Sequence, residues 1–322
     1  MNTTETAAVS VPTGRLVGTT IMAIGCGTPD GEVNNGFAAA IGFLREGAKV
    51  CIVDRDPGAL DEATRALAEA AAADGADGTD RVDLSNRRDG EPDRDTGADR
   101  VPGTGVHLGG VDLDSQLTTV VADVGDEDSL AAAFAHCADR LGGPTVLHYN
   151  VGIVVNGGVD ELDTDGFRRA LDINLTGAFS SIKHALPHMR AAGHGSIITV
   201  SSVGGMRYMG YDYPAYAASK AGLIELTKVV GAQYASEGIR ANSIAPGLIE
   251  TPLIHRSISG HFGSVEEMLA ARHAQSPTGK MGRPEDVADL AVFLASGESA
   301  YINSTLIPVD GGLTHYAGMP KR

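Results

Sequence analysis

Short runs of apolar, mostly β-branched residues alternate along this chain with longer stretches whose apolar side chains recur at helical spacing. The two patterns predict strands and helices in succession. VGTTIMAI at 17–24 reads as a first strand and FAAAIGFLREG as the helix after it. KVCIVD is the next strand, ending in Asp54, and Asp56 and Pro57 suit the cap and first turn of the helix PGALDEATRALAEAAAA. The pattern resumes with the strand QLTTVVADV, which ends at Asp123-Val124, the helix DEDSLAAAFAHCADRLG, and the strand TVLHYN, which runs into Asn150-Val151-Gly152. A long helix from about Asp165 to Ala192 follows, then the strand GSIITVSS, a helix carrying Tyr216 and Lys220, and the strand IRANSIAP, which leads to Pro246-Gly247. Such alternation predicts an α/β fold, a single doubly wound domain with a parallel sheet and helices on both faces.

Three segments break the pattern. Residues 1–13 read as a loose tail before a domain spanning 14–316. From Asp74 to Ser115 the chain holds eleven acids against five arginines and lacks aliphatic periodicity, so a disordered or loosely packed surface insertion is expected there. The stretch 248–280, with His255, Arg256, His261 and His273, is irregular and polar and is expected to form a mobile lid.

At 322 residues, 43% hydrophobic and 20% charged, the chain has a soluble, globular composition and is long enough to bury a core. The formal net charge of -16 argues against a nucleic acid or an anionic membrane as partner. No run nears the roughly 20 apolar residues of a membrane helix. The N-terminus has neither the basic start nor the apolar run of a secretory leader, and the cytoplasm is the expected location. Cys26, Cys51 and Cys137 are too few and too scattered for a disulfide framework or a metal site, and they read as small hydrophobes. No histidine spacing suits a metal either.

Candidate chemistry gathers around Tyr216-Ala-Ala-Ser-Lys220, whose spacing puts a phenol and an ammonium on one helix face. A cation held near a tyrosine favours the phenolate and eases proton exchange with an alcohol or carbonyl. Alone, the pair is an ordinary amphipathic motif. The first strand, however, opens into GCGTPDGEVNNG, where Gly25, Gly27, Gly31 and Gly36 let the backbone approach a ligand and the following helix offers its N-terminus to a phosphate. Asp54, roughly 20 residues on, suits the ribose hydroxyls of NAD and repels the extra phosphate of NADP, with Arg55 partly offsetting that repulsion. In a doubly wound sheet the glycine turn, Asp54, Asp123, Asn150, Ser202 and Pro246 all fall at the carboxyl ends of strands, where ligands bind.

With these residues in view, the chain resembles the short-chain dehydrogenase/reductase family from about Gly14 to Gly312. Ser202, Tyr216 and Lys220 stand in the family's Ser and Tyr-x-x-x-Lys positions, Asn174 in its helix asparagine, and Pro246-Gly247 with Thr251 in its nicotinamide-side loop. GRPEDVADLAVFLASGESAYINSTLIPVDGG resembles its closing helix and strand. The resemblance implies a Rossmann-type catalytic domain with Tyr216 as general acid/base, Lys220 lowering its pKa and binding the nicotinamide ribose, and Ser202 holding the substrate oxygen. Asn174 is then either a water-holding relay group or a polar residue satisfied in a helix kink. It also implies cofactor contacts at Asn35, Val124, Gly152, Gly247 and Ile249, and a homotetramer or homodimer formed through the helices that hold Asn174 and Tyr216. Two departures stand out. Ile24 and a turn about five residues longer replace the family's Thr-Gly-x-x-x-Gly-x-Gly, and Tyr149-Asn150-Val151-Gly152 replaces Asn-Asn-Ala-Gly.

The expected activity is NAD-dependent oxidation of a secondary alcohol or reduction of its ketone. Met206, Tyr208, Met209, Tyr211 and Tyr213 are expected either near the reacting carbon or at a subunit interface. A lyase on the same scaffold, in the manner of halohydrin dehalogenases, and a nucleotide-sensing protein without chemistry are the alternatives.

Overall fold

Strand β1 (Thr20–Ile24) is buried along its whole length, because both faces of the sheet it centres are covered. Its side chains divide by alternation, Ile21 and Ala23 into one core and Met22 and Ile24 into the other. Strand β2 (Lys49–Asp54) divides the same way, Val50 and Ile52 against Cys51 and Val53. This two-sided burial is why the strands read as continuous apolar runs.

The computed structural model describes residues 14–29, 32–76, 108, 110–251 and 264–316. The remaining strands are β3 (Leu117–Val121), β4 (Val146–Tyr149), β5 (Gly195–Val200), β6 (Ile239–Pro246) and β7 (Leu306–Val309). All seven pair in parallel in the order β3-β2-β1-β4-β5-β6-β7. The order reverses between β1 and β4, which opens a crevice at the carboxyl ends of the strands.

Helices α1 (Asn35–Arg45) and α2 (Pro57–Ala76) cover one face. On the other lie α4 (Glu127–Leu141) and the pair α5 (Thr164–Leu171) and α6 (Gly177–Ala192), with α7 (Pro214–Tyr234) beside them. The four-residue α3 (Leu113–Gln116) precedes β3, α8 (Val265–Gln275) follows β6, and α9 (Pro284–Ala295) packs on α1. Caps explain the boundaries. The Asp126 carboxylate accepts from the N–H groups of Asp128 and Ser129 at the start of α4, and Pro214, which needs no N–H partner, opens α7.

Four expectations change. Val17 and Gly18 form a turn, with Gly18 at φ 81°, and β1 begins only at Thr20. The long helix of 165–192 holds a π-turn, Asp172–Thr176, between α5 and α6. The stretch read as an irregular lid contains α8, which Ser264 caps through the N–H of Glu267, with Glu266 and Glu267 at its positive end and Arg272 and His273 at its negative end. Of the lid's other cations, His255, Arg256 and His261 lie outside the described residues. The cysteines are less scattered than their numbers suggest. All three are buried free thiols, and Cys51 on β2 lies against Cys137 on α4, that contact and burial pushing the Cys51 thiol up. Among the described residues no helix is long and apolar enough to cross a membrane, and no group of three or more His, Cys, Asp or Glu could hold a metal.

The expected insertion also has structured ends. Residues 74–76 close α2, residues 113–116 are α3, and Leu108, 1% exposed, sits in the core beside α1 and α2, with Val111 and Leu113 packed against the same cluster. The reason is composition: the acidic segment regains aliphatic residues at its C-terminal end, and burying them outweighs ordering the backbone. We predict that Leu108→Ala lowers stability by about 2–4 kcal/mol in denaturant unfolding. Replacing 78–105 with a short glycine-serine linker should leave the unfolding midpoint nearly unchanged.

Candidate active site

A cleft of about 400 Å³ lies in the crevice at the carboxyl ends of the strands. Its wall takes Ile24, Gly25 and Gly27 from the end of β1, Asp54 and Arg55 from β2, and Asp123 and Val124 from beyond β3. Asn150 and Gly152 line it after β4, Ser202 after β5, and Pro246 and Thr251 after β6, while α7 adds Tyr216 and Lys220. One cleft therefore collects most of the expected site residues.

The glycine turn is held by close contacts. Gly25, at φ 77°, carries a carbonyl that accepts a hydrogen bond from the Asn150 amide at 2.9 Å. A Cβ on Gly36 would lie 2.4 Å from that carbonyl and 2.6 Å from the Asn150 nitrogen, so only glycine lets α1 start there. The Gly27 N–H donates to Asp54 Oδ2 at 3.0 Å, and the Asp56 N–H to Asp54 Oδ1 at 3.2 Å. Asn34, which the sequence reading passed over, caps α1: its Oδ1 accepts from the Phe37 N–H at 3.0 Å and its Nδ2 donates to the Gly27 carbonyl at 2.8 Å. Asn35 follows at the first helical position and lines the cleft, with its Oδ1 buried and unpartnered. Gly31 lies outside the described residues.

Three expected cofactor contacts stand behind the cleft wall. Gly36 is packed under Gly25, Gly247 approaches Asp310 too closely for a side chain, and Ile249 is buried beside Gly282. Each shapes a loop that others present to the cleft. Asn174 is likewise off the cleft surface: the π-turn drives it inward, where its Oδ1 accepts from the Ile153 N–H at 2.8 Å and its Nδ2 donates to the Ile153 carbonyl and to Ser219 Oγ. These bonds satisfy the amide and lock the loop after β4 to α7.

Lys220 is 2% exposed and donates to the carbonyls of Val151 at 3.1 Å and Val200 at 2.9 Å, at the ends of β4 and β5. A Cβ on Gly152 would lie 2.9 Å from its ammonium, which explains the glycine. Its Nζ is 5.8 Å from the centre of the Tyr216 ring. Burial lowers the Lys220 pKa to about 7. Burial also raises that of Tyr216, against a hydrogen bond from Ser202 that lowers it. In this structure the larger influence on the phenol is its own burial.

Ser202 caps a single 3-10 turn, Val203–Gly205, its Oγ accepting from the Gly204 N–H at 3.0 Å. Beside it the unanticipated Ser201 donates to the Lys220 carbonyl at 2.8 Å and ties this strand end to α7. Tyr149 does a similar service, its hydroxyl donating to the Ile173 carbonyl at 2.6 Å across the π-turn. Nothing in the sequence marks either role, since both depend on partners distant along the chain. Of the residues expected around the reacting carbon, Met206 and Tyr208 are exposed. Tyr213 meets Tyr216 edge-on at 5.3 Å and stacks on Tyr211 at 5.6 Å.

The arrangement offers a hydroxyl pair, Ser202 and Tyr216, at one end of a glycine-walled cleft and a carboxylate, Asp54, at the other. The family model described as enoyl-(acyl carrier protein) reductase matches residues 110–314. Cis-4-hydroxycyclohexanecarboxylate dehydrogenase of Sinomonas cyclohexanicum is 41% identical over 196 residues, which cover 61% of this chain and 76% of that protein. Levodione reductase of Leifsonia aquatica is 34% identical over 201 residues, 62% of this chain and 75% of its own. Among solved structures, a Burkholderia xenovorans protein assigned to the short-chain dehydrogenases/reductases superposes with a TM-score of 0.77 at 32% identity, covering 94% of this chain and 99% of that one. The chain belongs to the short-chain dehydrogenase/reductase family, a family of oxidoreductases.

Proposed function

We propose that this chain is an NAD-dependent oxidoreductase acting on a secondary alcohol or its ketone, with Tyr216 as general acid/base. The observation that carries this reading is the placing of Ser202, Tyr216 and Lys220 in the same cleft as the glycine turn and Asp54. Relatives named as dehydrogenases and a reductase support the reaction type.

The residues present fit a dinucleotide. The Asp54 carboxylate, held by two backbone N–H groups, keeps lone pairs for ribose hydroxyls and disfavours the extra phosphate of NADP. The start of α1 offers a positive helix end to the pyrophosphate. Asn150, Gly152, Pro246 and Thr251 wall the far end. When bound, the nicotinamide supplies or accepts the hydride. The chain itself handles the oxygen side: Ser202 Oγ orients the substrate oxygen, and the Tyr216 hydroxyl gives or takes its proton. Lys220 lies 5.8 Å from the ring and is poised by burial near neutral pH.

For assembly, exposed Phe179 on α6 and Val229 on α7 support a dimer or tetramer built on the two long helices. We place the protein in the cytoplasm on the strength of its three free thiols.

Fluorescence titration should show tighter binding of NADH than of NADPH. Tighter NADPH binding overturns the NAD assignment, and binding of neither overturns the oxidoreductase reading. Tyr216→Phe should lower kcat by about 10²–10⁴ while the NADH Kd stays within about twofold; retained turnover refutes the proton role.

Lys220 gives a stability test. Its folded pKa of about 7 lies below the ordinary 10.5, so the unfolded chain binds more protons between those pH values and stability rises with pH across that window. In Lys220→Met this component should vanish. From pH 7 to 9.5 the wild type should gain on the order of 3 kcal/mol relative to the variant, measured by denaturant unfolding at each pH.

A further inference from the structure

Arg272 on α8 is 4% exposed, and the burial is expensive for a cation that holds its charge at every working pH. A buried guanidinium is ordinarily matched by a carboxylate. Among the described residues none pairs with it. Its one side-chain hydrogen bond runs from Nη1 to the hydroxyl of Tyr211 at 3.0 Å, and its Nε is buried without a partner. The N–H groups of Nε and Nη2, which lie parallel and match the two oxygens of a carboxylate, have no hydrogen-bond partner among the described residues.

The position of this edge relative to the reacting groups is set by a ladder of rings. Tyr216 meets Tyr213 edge-on at 5.3 Å, and Tyr213 stacks on Tyr211 at 5.6 Å. The Tyr213 hydroxyl also faces the catalytic end: a Cβ on Gly204 would lie 3.2 Å from it and 3.4 Å from Ser202 Oγ. Arg272 holds the outer end of the ladder through Tyr211 and acts electrostatically on Tyr213 as well. The guanidinium is thus two ring steps from the proton-transferring phenol, a separation that suits a group several bonds from the reacting carbon better than one next to it.

We propose that Arg272 binds a carboxylate of the substrate, so that the enzyme acts on hydroxy acids or keto acids whose acid group is several bonds from the reacting carbon. The inference rests on the oxidoreductase reading above and gives it a substrate class. The unpaired cation is then completed by the substrate, and Tyr213 and Tyr211 flank the apolar spacer between the two polar ends.

The test compares a panel of straight-chain and alicyclic keto acids of increasing spacer length with their methyl esters, by initial rates with NADH and by calorimetric binding. For at least one spacer length the acid should exceed its ester about tenfold or more in kcat/KM, mainly through KM, and should bind about tenfold more tightly. Arg272→Met should bring that ratio toward one, and Arg272→Lys should restore part of it. The same ratios can be read by calorimetry in the Tyr216→Phe background, where turnover is removed. Equal handling of every acid and ester by the wild type, or an acid preference that survives in Arg272→Met, overturns the inference. Turnover of the esters with no preference for the acids overturns it while leaving the oxidoreductase reading intact; binding preference without turnover of any member supports it while removing that reading. If Arg272→Met does not fold, the acid-to-ester comparison on the wild type decides.

Discussion

The buried ammonium of Lys220 is the contact on which the site's geometry depends. Helix α7 carries it into the interior, where the carbonyls of Val151 and Val200 receive it at the points where β4 and β5 leave the sheet. A single side chain therefore fixes one helix against two strand ends. Those strand ends open the loops that present Asn150, Gly152 and Ser202. Among the described residues no carboxylate accompanies the ammonium, so its charge is stabilised only by dipoles, and burial pulls its pKa to about 7. Ser201 reinforces the same joint by donating to the Lys220 carbonyl. Ser202 and Tyr216 face each other because this joint leaves them little freedom.

On the cofactor side the same end is reached by sterics. The rebuilt turn works because Gly36 permits a contact that any Cβ would prevent, because Asn150 reaches across from β4 to the Gly25 carbonyl, and because Asn34 clamps the Gly27 carbonyl while capping α1. Where the glycine spacing is altered, Asn34 and Asn150 hold the turn's backbone by side-chain hydrogen bonds. Conformational freedom has been exchanged for polar crosslinks, and the turn still ends at a helix N-terminus facing the cleft.

The fold was legible in the sequence because its strands are buried on both faces and its helices on one, and these conditions write different periods into the chain. Every expected strand is found, IRANSIAP with its boundaries unchanged. The clustering of Asp54, Asn150, Ser202, Tyr216 and Lys220 was legible for a related reason: in a parallel sheet all strand ends point the same way. What escaped notice was set by partners far off in the chain. Asn34, Ser201 and Tyr149 gain their roles from Gly27, Lys220 and Ile173, and no local pattern marks them. Within 248–280, α8 was not marked because it is short and polar. Its order comes from a serine cap, charges placed along the helix dipole, the buried Met268 and Arg272, and His273, whose ring accepts the Met281 N–H. The acidic insertion misled at its edges, where Leu108 owes its place to the core and not to its neighbours.

The two ends of the cleft consequently differ in kind. The end proposed for the cofactor is made largely of backbone, held at fixed separations by close approaches and by the Asn34 and Asn150 side chains. The end proposed for the substrate is made of side chains, a ring ladder from Tyr216 through Tyr213 to Tyr211 anchored by a cation on α8. Helix α8 belongs neither to the sheet nor to the helices packed on it, and it meets the Lys220 helix through the tyrosine ladder. On the reading proposed above, specificity then rests on α8 and the tyrosine segment and proton handling on the strand end and helix that carry Ser202 and Tyr216, a division of labour that follows from where each group is anchored.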